Sequence, residues 1–125
     1  MNIDTLSLYN KKSAVVEFSE CDDLIRIKTP SHDEGFGLIV KNNGASDADI
    51  IIKGGNSVLA MGDTYVLVDS GDTVLINLKD TGRYKNVHGE DAGYILIEIG
   101  NASPTDIEIF PFSLKLAREN NEGMF

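Results

Sequence analysis

From Ala14 to Phe112 the chain is written in short runs of alternating apolar and polar residues, and a turn signal closes each run after about ten residues. A period of two is that of an extended strand, whose successive side chains point to opposite faces. Residues 72–78 show it best, with Val74, Ile76 and Leu78 on one side and Thr73 and Asn77 on the other. Read this way, the pattern predicts strands at residues 4–9, 13–18, 23–28, 36–41, 48–53, 64–68, 72–78, 94–99 and 106–112. Two purely apolar runs, Leu38-Ile39-Val40 and Ile50-Ile51-Ile52, are rich in β-branched residues and too short for helices, which decides them as strands. Eight or nine short strands with no helical period between them give an all-β chain, an antiparallel β-sandwich of immunoglobulin-like or jelly-roll-like type.

The turns are Asn42-Asn43-Gly44, Gly54-Gly55-Asn56, Met61-Gly62-Asp63, Asp69-Ser70-Gly71-Asp72 and Asp80-Thr81-Gly82. Glycine and asparagine tolerate the positive φ that tight turns need. The Asp69–Asp72 turn predicts an antiparallel hairpin over residues 64–78. In it Val66, Val68, Val74, Ile76 and Leu78 share an apolar layer, with Tyr65 and Leu67 on the opposite face. Ile95, Ile97 and Ile99 likewise alternate with Tyr94, Leu96 and Glu98, so Tyr94 and Leu96 are left for a loop or a partner to cover. Three parts follow: an N-terminal arm or edge strand (residues 1–12), the sandwich (13–112) and a tail (113–125) with a short helix around 114–120 ahead of Met124-Phe125. The longest connection, residues 79–93, holds Arg83, Tyr84, Lys85, His88 and Glu90-Asp91, and a loop of that length in a small domain is often functional. Regularity also breaks at residues 29–37, with Pro30 and His32-Asp33-Glu34, and at 101–105, with Pro104.

Composition narrows the classes. At 125 residues, 42% hydrophobic and 25% charged, the chain suits one globular domain with a single core. Twenty acidic against eleven basic residues give a net charge of -9, which repels phosphate backbones and makes nucleic acid an unsuitable ligand. The acids are scattered and read as a solvated coat. Apolar runs are far shorter than the ~20 residues of a spanning helix, so no membrane partner is expected. The first twelve residues are polar and of mixed charge, without the pattern of a secretory signal, so synthesis in the cytoplasm is expected. Cys21 is the sole cysteine, which excludes an internal disulfide.

Reactive chemistry is sparse. Neither His32 nor His88 accompanies a Gly-x-Ser-x-Gly elbow, and Cys21 sits between Glu20 and Asp22-Asp23, whose carboxylates oppose thiolate formation. Zinc-type spacing is missing. Calcium is the better metal candidate, since Asp63, Asp69, Asp72 and Asp80 lie on loops that can meet at one end of a sandwich, although turns favour aspartate without any ion. Gly35-Phe36-Gly37 and Gly54-Gly55 lack the continuation of a phosphate loop and read as turns, and Asn101-Ala102-Ser103 is followed by Pro104. No catalytic, cofactor-binding or metal residue is therefore assigned, no cofactor is expected, and an enzyme is the least supported class. A sugar-binding or adhesive module is the principal alternative, with Tyr9, Tyr65, Tyr84 and Tyr94 as the aromatic candidates in a chain without tryptophan.

Residues 39–112 resemble small capsid-associated proteins of tailed bacteriophages and prophages. The run of elements is Val40-Lys41-Asn42-Asn43-Gly44, then Asp49-Ile50-Ile51-Ile52-Lys53-Gly54-Gly55, then Gly71-Asp72-Thr73-Val74-Leu75-Ile76-Asn77-Leu78, Gly82-Arg83-Tyr84-Lys85 and Gly93-Tyr94-Ile95-Leu96-Ile97. The resemblance implies a non-enzymatic decoration protein, an immunoglobulin-like or related sandwich on the capsid exterior. Its partner would be the major capsid protein or another virion protein, and the chain could itself be a dimer or trimer. The expected contact residues are Arg83, Tyr84 and Lys85, with Lys11 and Lys12 in the N-terminal segment. Arginine and tyrosine are enriched at interface hot spots, and this positive charge stands out on an acidic chain. Met124 and Phe125 are added as an apolar end that docks on a neighbour.

Overall fold

Alternating isoleucines and valines leave each strand with one face that must leave water, and here two sheets satisfy one another. The computed structural model describes residues 1–29 and 34–114. Ten strands run in chain order: β1 (Asn2–Ile3), β2 (Leu6–Ser7), β3 (Ser19–Glu20), β4 (Leu24–Lys28), β5 (Glu34–Asn42), β6 (Ala48–Ile52), β7 (Thr64–Val68), β8 (Thr73–Asp80), β9 (Tyr94–Gly100) and β10 (Ile107–Ser113). One sheet has the order β1-β4-β9-β6-β7. The other has the order β2-β10-β5-β8, with β3 also on β10. The fold is an all-β sandwich, joined by two short 3-10 turns at Thr81–Arg83 and Pro104–Asp106. No helix of the described residues is long and apolar enough to cross a membrane.

Ile25, Ile27, Ile50, Ile52, Ile95 and Ile97 face inward from the first sheet and meet Phe36, Leu38, Val40, Ile107 and Ile109 from the second. All eleven are essentially inaccessible, and each contributes about 1.5–3 kcal/mol of transfer free energy relative to exposure. Val68 and Ile76 complete the layer, with Val66, Val74 and Leu78 packed at its margin, as the alternation of residues 64–78 predicts.

The hairpin itself does not form. β7 belongs to the first sheet and β8 to the second, so the 69–72 turn is a corner that carries the chain between layers. Both strands keep their apolar parity because both face the same core. Two pairings are parallel, β1 with β4 and β2 with β10, where the alternation alone predicts an antiparallel sandwich throughout. The predicted strand at 4–9 is divided by this arrangement: its start lies beside β1 and its middle forms β2, in different sheets, with the crossing at Asp4 and Thr5.

The predicted strand at 13–18 is likewise not a strand. β10 has β5 along one side, and its other side is shared by β2, at Phe112 and Ser113, and β3, at Glu108 and Ile109. Pro111 falls in the interval between those two partners, where its missing N–H costs no ladder bond. With that edge occupied, residues 8–18 run as an irregular strap across the outer face of the second sheet. There Phe18 packs on Phe110 with ring centroids 6.0 Å apart, Phe110 lies 6.3 Å from Phe112, and the Lys41 ammonium sits 4.3 Å above the Phe18 ring. Gly37 makes room for Phe112: a Cβ there would come within 2.8 Å of the ring. The predicted helix at 114–120 falls almost wholly outside the described residues, as do Met124 and Phe125.

Candidate functional site

β6 and β8 end, and β7 and β9 begin, at one end of the sandwich, which brings the loops of residues 53–63 and 81–93 together. Asn56 binds them. Its Oδ1 accepts from the backbone N–H of Val87 (2.7 Å) and of His88 (3.3 Å), and its Nδ2 donates to the His88 carbonyl (3.1 Å). Ser57 Oγ donates to the Gly82 carbonyl (2.6 Å), and Gly55 N–H donates to the Arg83 carbonyl (3.2 Å). Gly55 is a close-approach residue rather than a turn former. A Cβ at that position would overlap the Lys85 carbonyl oxygen and lie 2.6 Å from that of Tyr84.

Arg26 of β4 holds the far part of the second loop. Its Nε donates to Asp91 Oδ1 (3.0 Å), one terminal nitrogen donates to the Glu90 carbonyl (3.1 Å), and its guanidinium lies 4.3 Å from the Tyr94 ring centre. The first loop is held by Lys53, whose ammonium is 3.1 Å from Asp63 Oδ2 and 3.7 Å from Glu98 Oε1. Hydrogen bonding to Asp63 and the carboxylate of Glu98 raise the Lys53 pKa. Asp63, which accepts from Gly54 N–H at 2.7 Å as well as from Lys53, is lowered. Both groups therefore stay charged across the neutral range.

A braced pair of loops thus presents apolar side chains to water. Val58 is fully exposed and Met61 is 71% exposed, with Leu59 beside them and Val87 on the facing loop. Arg83 is exposed on the same loops, its guanidinium carbon 6.0 Å from the Tyr84 ring centre. The three contact residues expected of this loop separate. Arg83 points outward and Lys85 is half-buried, but Tyr84 is only 5% exposed and belongs to the core. Its hydroxyl pairs with Thr64 Oγ1 at 2.9 Å. The ring plugs the end of the core beneath the loops, so almost none of it is left to offer a partner. Lys11 and Lys12 are exposed on the strap, along a groove of about 350 Å³ lined by Leu8, Val16, Ile39, Leu75, Phe110 and Phe112, and are not part of the loop cluster.

The acids expected to gather around calcium divide instead. Asp69 and Asp72 belong to the corner between β7 and β8, whereas Asp63 precedes β7 and Asp80 ends β8, at the opposite end of the molecule. Among the described residues no group of three or more histidine, cysteine or acidic side chains is placed to hold a metal ion. The Asp69–Asp72 end is organised by Asn42, which is buried. Its Nδ2 donates to the carbonyls of Ser46 (2.8 Å) and Val68 (3.0 Å), and its Oδ1 accepts from Gly44 N–H (3.0 Å). Cys21 is buried too. Desolvation first, then Glu108 on the neighbouring strand and Glu20, push its thiol up to about 12, so it is a neutral packing group at physiological pH.

No protein-family model, curated protein or solved structure matches the chain. The loop site therefore rests on its own geometry. Three of its organisers, Asn56, Arg26 and Gly55, are not singled out for this role by the sequence. Each acts on a partner some thirty to sixty-five positions away, which no local pattern reveals. The isolated apolar run Val58-Leu59-Ala60-Met61, between two glycine turns, is the one signal that could have marked the surface.

Proposed function

We propose that this chain is a non-enzymatic binding module that seats its loop end on another protein, and that its setting is the exterior of a phage capsid, which it decorates or stabilises. One observation carries the adhesive reading: Val58, Leu59 and Met61 stand in water on loops that Asn56, Ser57 and Arg26 hold in place. Exposed apolar side chains on a rigid support, with an arginine beside them, have the chemistry of interface anchors. Their ordering entropy is already spent in the free protein, which favours tight seating. The capsid setting is supported by the succession of strand and turn motifs over residues 39–112, and it places the chain on the shell after synthesis in the bacterial cytoplasm. A standard interface of about 800 Å² per partner needs roughly 20–30 residues, which the two loops and the adjoining strand ends can supply.

A sugar-binding reading gains little support from the tyrosines. Tyr84 is inside, Tyr94 lies under Arg26, and Tyr65 is on β7 of the first sheet whereas Tyr9 is on the strap over the second, so they do not form one platform. The deciding experiment mixes the full chain with intact shells from the producing cell, then pellets and washes them. Co-sedimentation is expected, with loss on combining Val58→Asp and Met61→Asp and retention on Val15→Asp, an exposed strap position. Failure to pellet with any such shell, or equal binding by the loop variant, refutes the reading, and retention on a polysaccharide column would favour the sugar alternative.

A further inference from the structure

The two lateral sides of the sandwich are finished differently. One ends in β1, β2 and β3, each of two residues, and short edges of this kind resist pairing with other chains. The other side ends in β7 and β8, and no described strand covers either. β8 is the longer edge, and its six residues from Thr73 to Leu78 carry no charge and no proline. The usual devices that blunt an edge are missing along that run.

The pairing pattern fixes which groups are open. Asn42 N–H donates to the Asp72 carbonyl (2.9 Å), so in the antiparallel ladder the groups of Val74 and Ile76 face β5, and those of Thr73, Leu75 and Asn77 face away. The regular strand stops at Lys79, which takes a left-handed backbone (φ 61°) with its N–H held by Asn77 Oδ1 at 3.0 Å. Three residues thus offer every backbone donor and acceptor to one side, with Leu75 at their centre and 61% exposed.

We propose that β8 pairs antiparallel with β8 of a second copy of this chain, about a two-fold axis at Leu75. In that register Leu75 faces its own copy and Thr73 faces Asn77 of the second copy, so every open N–H and C=O of the three residues is matched. Charge selects the same arrangement. Asp72 precedes the neutral run and Lys79 follows it, both exposed, and the two-fold sets Asp72 of each copy opposite Leu78 of the other, one position from Lys79, at both ends. A parallel pairing would set Asp72 beside Asp72. β7 is the weaker template, since only Tyr65 and Leu67 are open along it and it ends in the Lys53–Asp63 bridge. The dimer presents two loop ends from one continuous sheet, but its formation does not depend on what those loops bind.

Sedimentation equilibrium of the full chain reads this directly. The expected mass is twice that of a single chain. Leu75→Lys, which sets two ammonium groups at the axis on an exposed position, is expected to abolish the dimer while leaving the circular dichroism spectrum unchanged. Asp72→Lys and Lys79→Asp are each expected to weaken it, and the two together to restore it. Val58→Asp is expected to leave it intact. A monomer at every concentration, a dimer indifferent to Leu75→Lys, or a natively folded double exchange that stays dissociated would each overturn the proposal.

Discussion

Replacing Asn42 by alanine tests how the end of the sandwich opposite the exposed loops is held. The side chain is 1% exposed and makes three hydrogen bonds, to the carbonyls of Ser46 and Val68 and from Gly44 N–H, at 2.8, 3.0 and 3.0 Å. Each such bond contributes about 1 kcal/mol net, and a buried carbonyl left without a donor adds a desolvation cost of similar size. The expected loss is therefore about 3–4 kcal/mol, a large share of the 5–15 kcal/mol typical of a domain, or roughly 10–15 °C in Tm. Urea unfolding followed by far-ultraviolet circular dichroism measures it. Two comparisons isolate the cause. Asn43→Ala removes one exposed bond to Glu108 and should cost under about 1 kcal/mol. Asn42→Asp keeps the acceptor for Gly44 but turns a donor into an anionic oxygen facing two carbonyls, so it should be worse than alanine at neutral pH and recover in part as acid protonates it. If Asn42→Ala stays within about 1 kcal/mol of the unsubstituted chain, or matches Asn43→Ala, the argument fails.

Gly55→Ala should displace residues 83–85, lowering stability and altering the near-ultraviolet signal of Tyr84, and an unchanged spectrum and midpoint would contradict the close approach. Arg26→Ala removes the anchors of Glu90 and Asp91, so amide exchange across residues 87–93 should accelerate while that of β5 and β10 does not. Cys21 should resist thiol reagents at pH 8 until urea unfolds the chain. Because its folded pKa lies near 12, above the usual value near 8.5, its contribution is fully present below pH 8 and is lost as pH rises towards 12. A Cys21→Ala chain with the same alkaline stability profile would refute this.

The inward parity of nearly every strand is legible in the sequence, because burial on one face imposes a period of two whichever sheet a strand joins. Which sheet is not legible. Val66, Val68, Val74 and Ile76 satisfy the same alternation in a hairpin and across a corner, and only the strands beside them decide. Residues 13–18 read as a strand from their alternation, but Val16 is 51% exposed and Phe18 packs against an outer face that exists only once β5, β8 and β10 have assembled. At the loop site, Arg83 and Tyr84 read alike as contact residues, yet Arg83 is exposed and Tyr84 next to it is buried. A tyrosine suits a half-wet core margin as well as an interface, and the choice is made by Thr64, twenty positions earlier.

The parallel pairing of β2 with β10 bears on how the molecule comes together. Leu6 lies opposite Phe112, about a hundred residues later in the chain, so β2 has no seat until β10 has been made, whereas β1 already has one on β4. Closure of so long a loop is entropically slow, and most other ladders here join distant segments as well. Assembly is therefore expected to end at the β10 edge: β5, β8 and β10 would dock first, and Leu6–Ser7 and Ser19–Glu20 would zip onto β10 last.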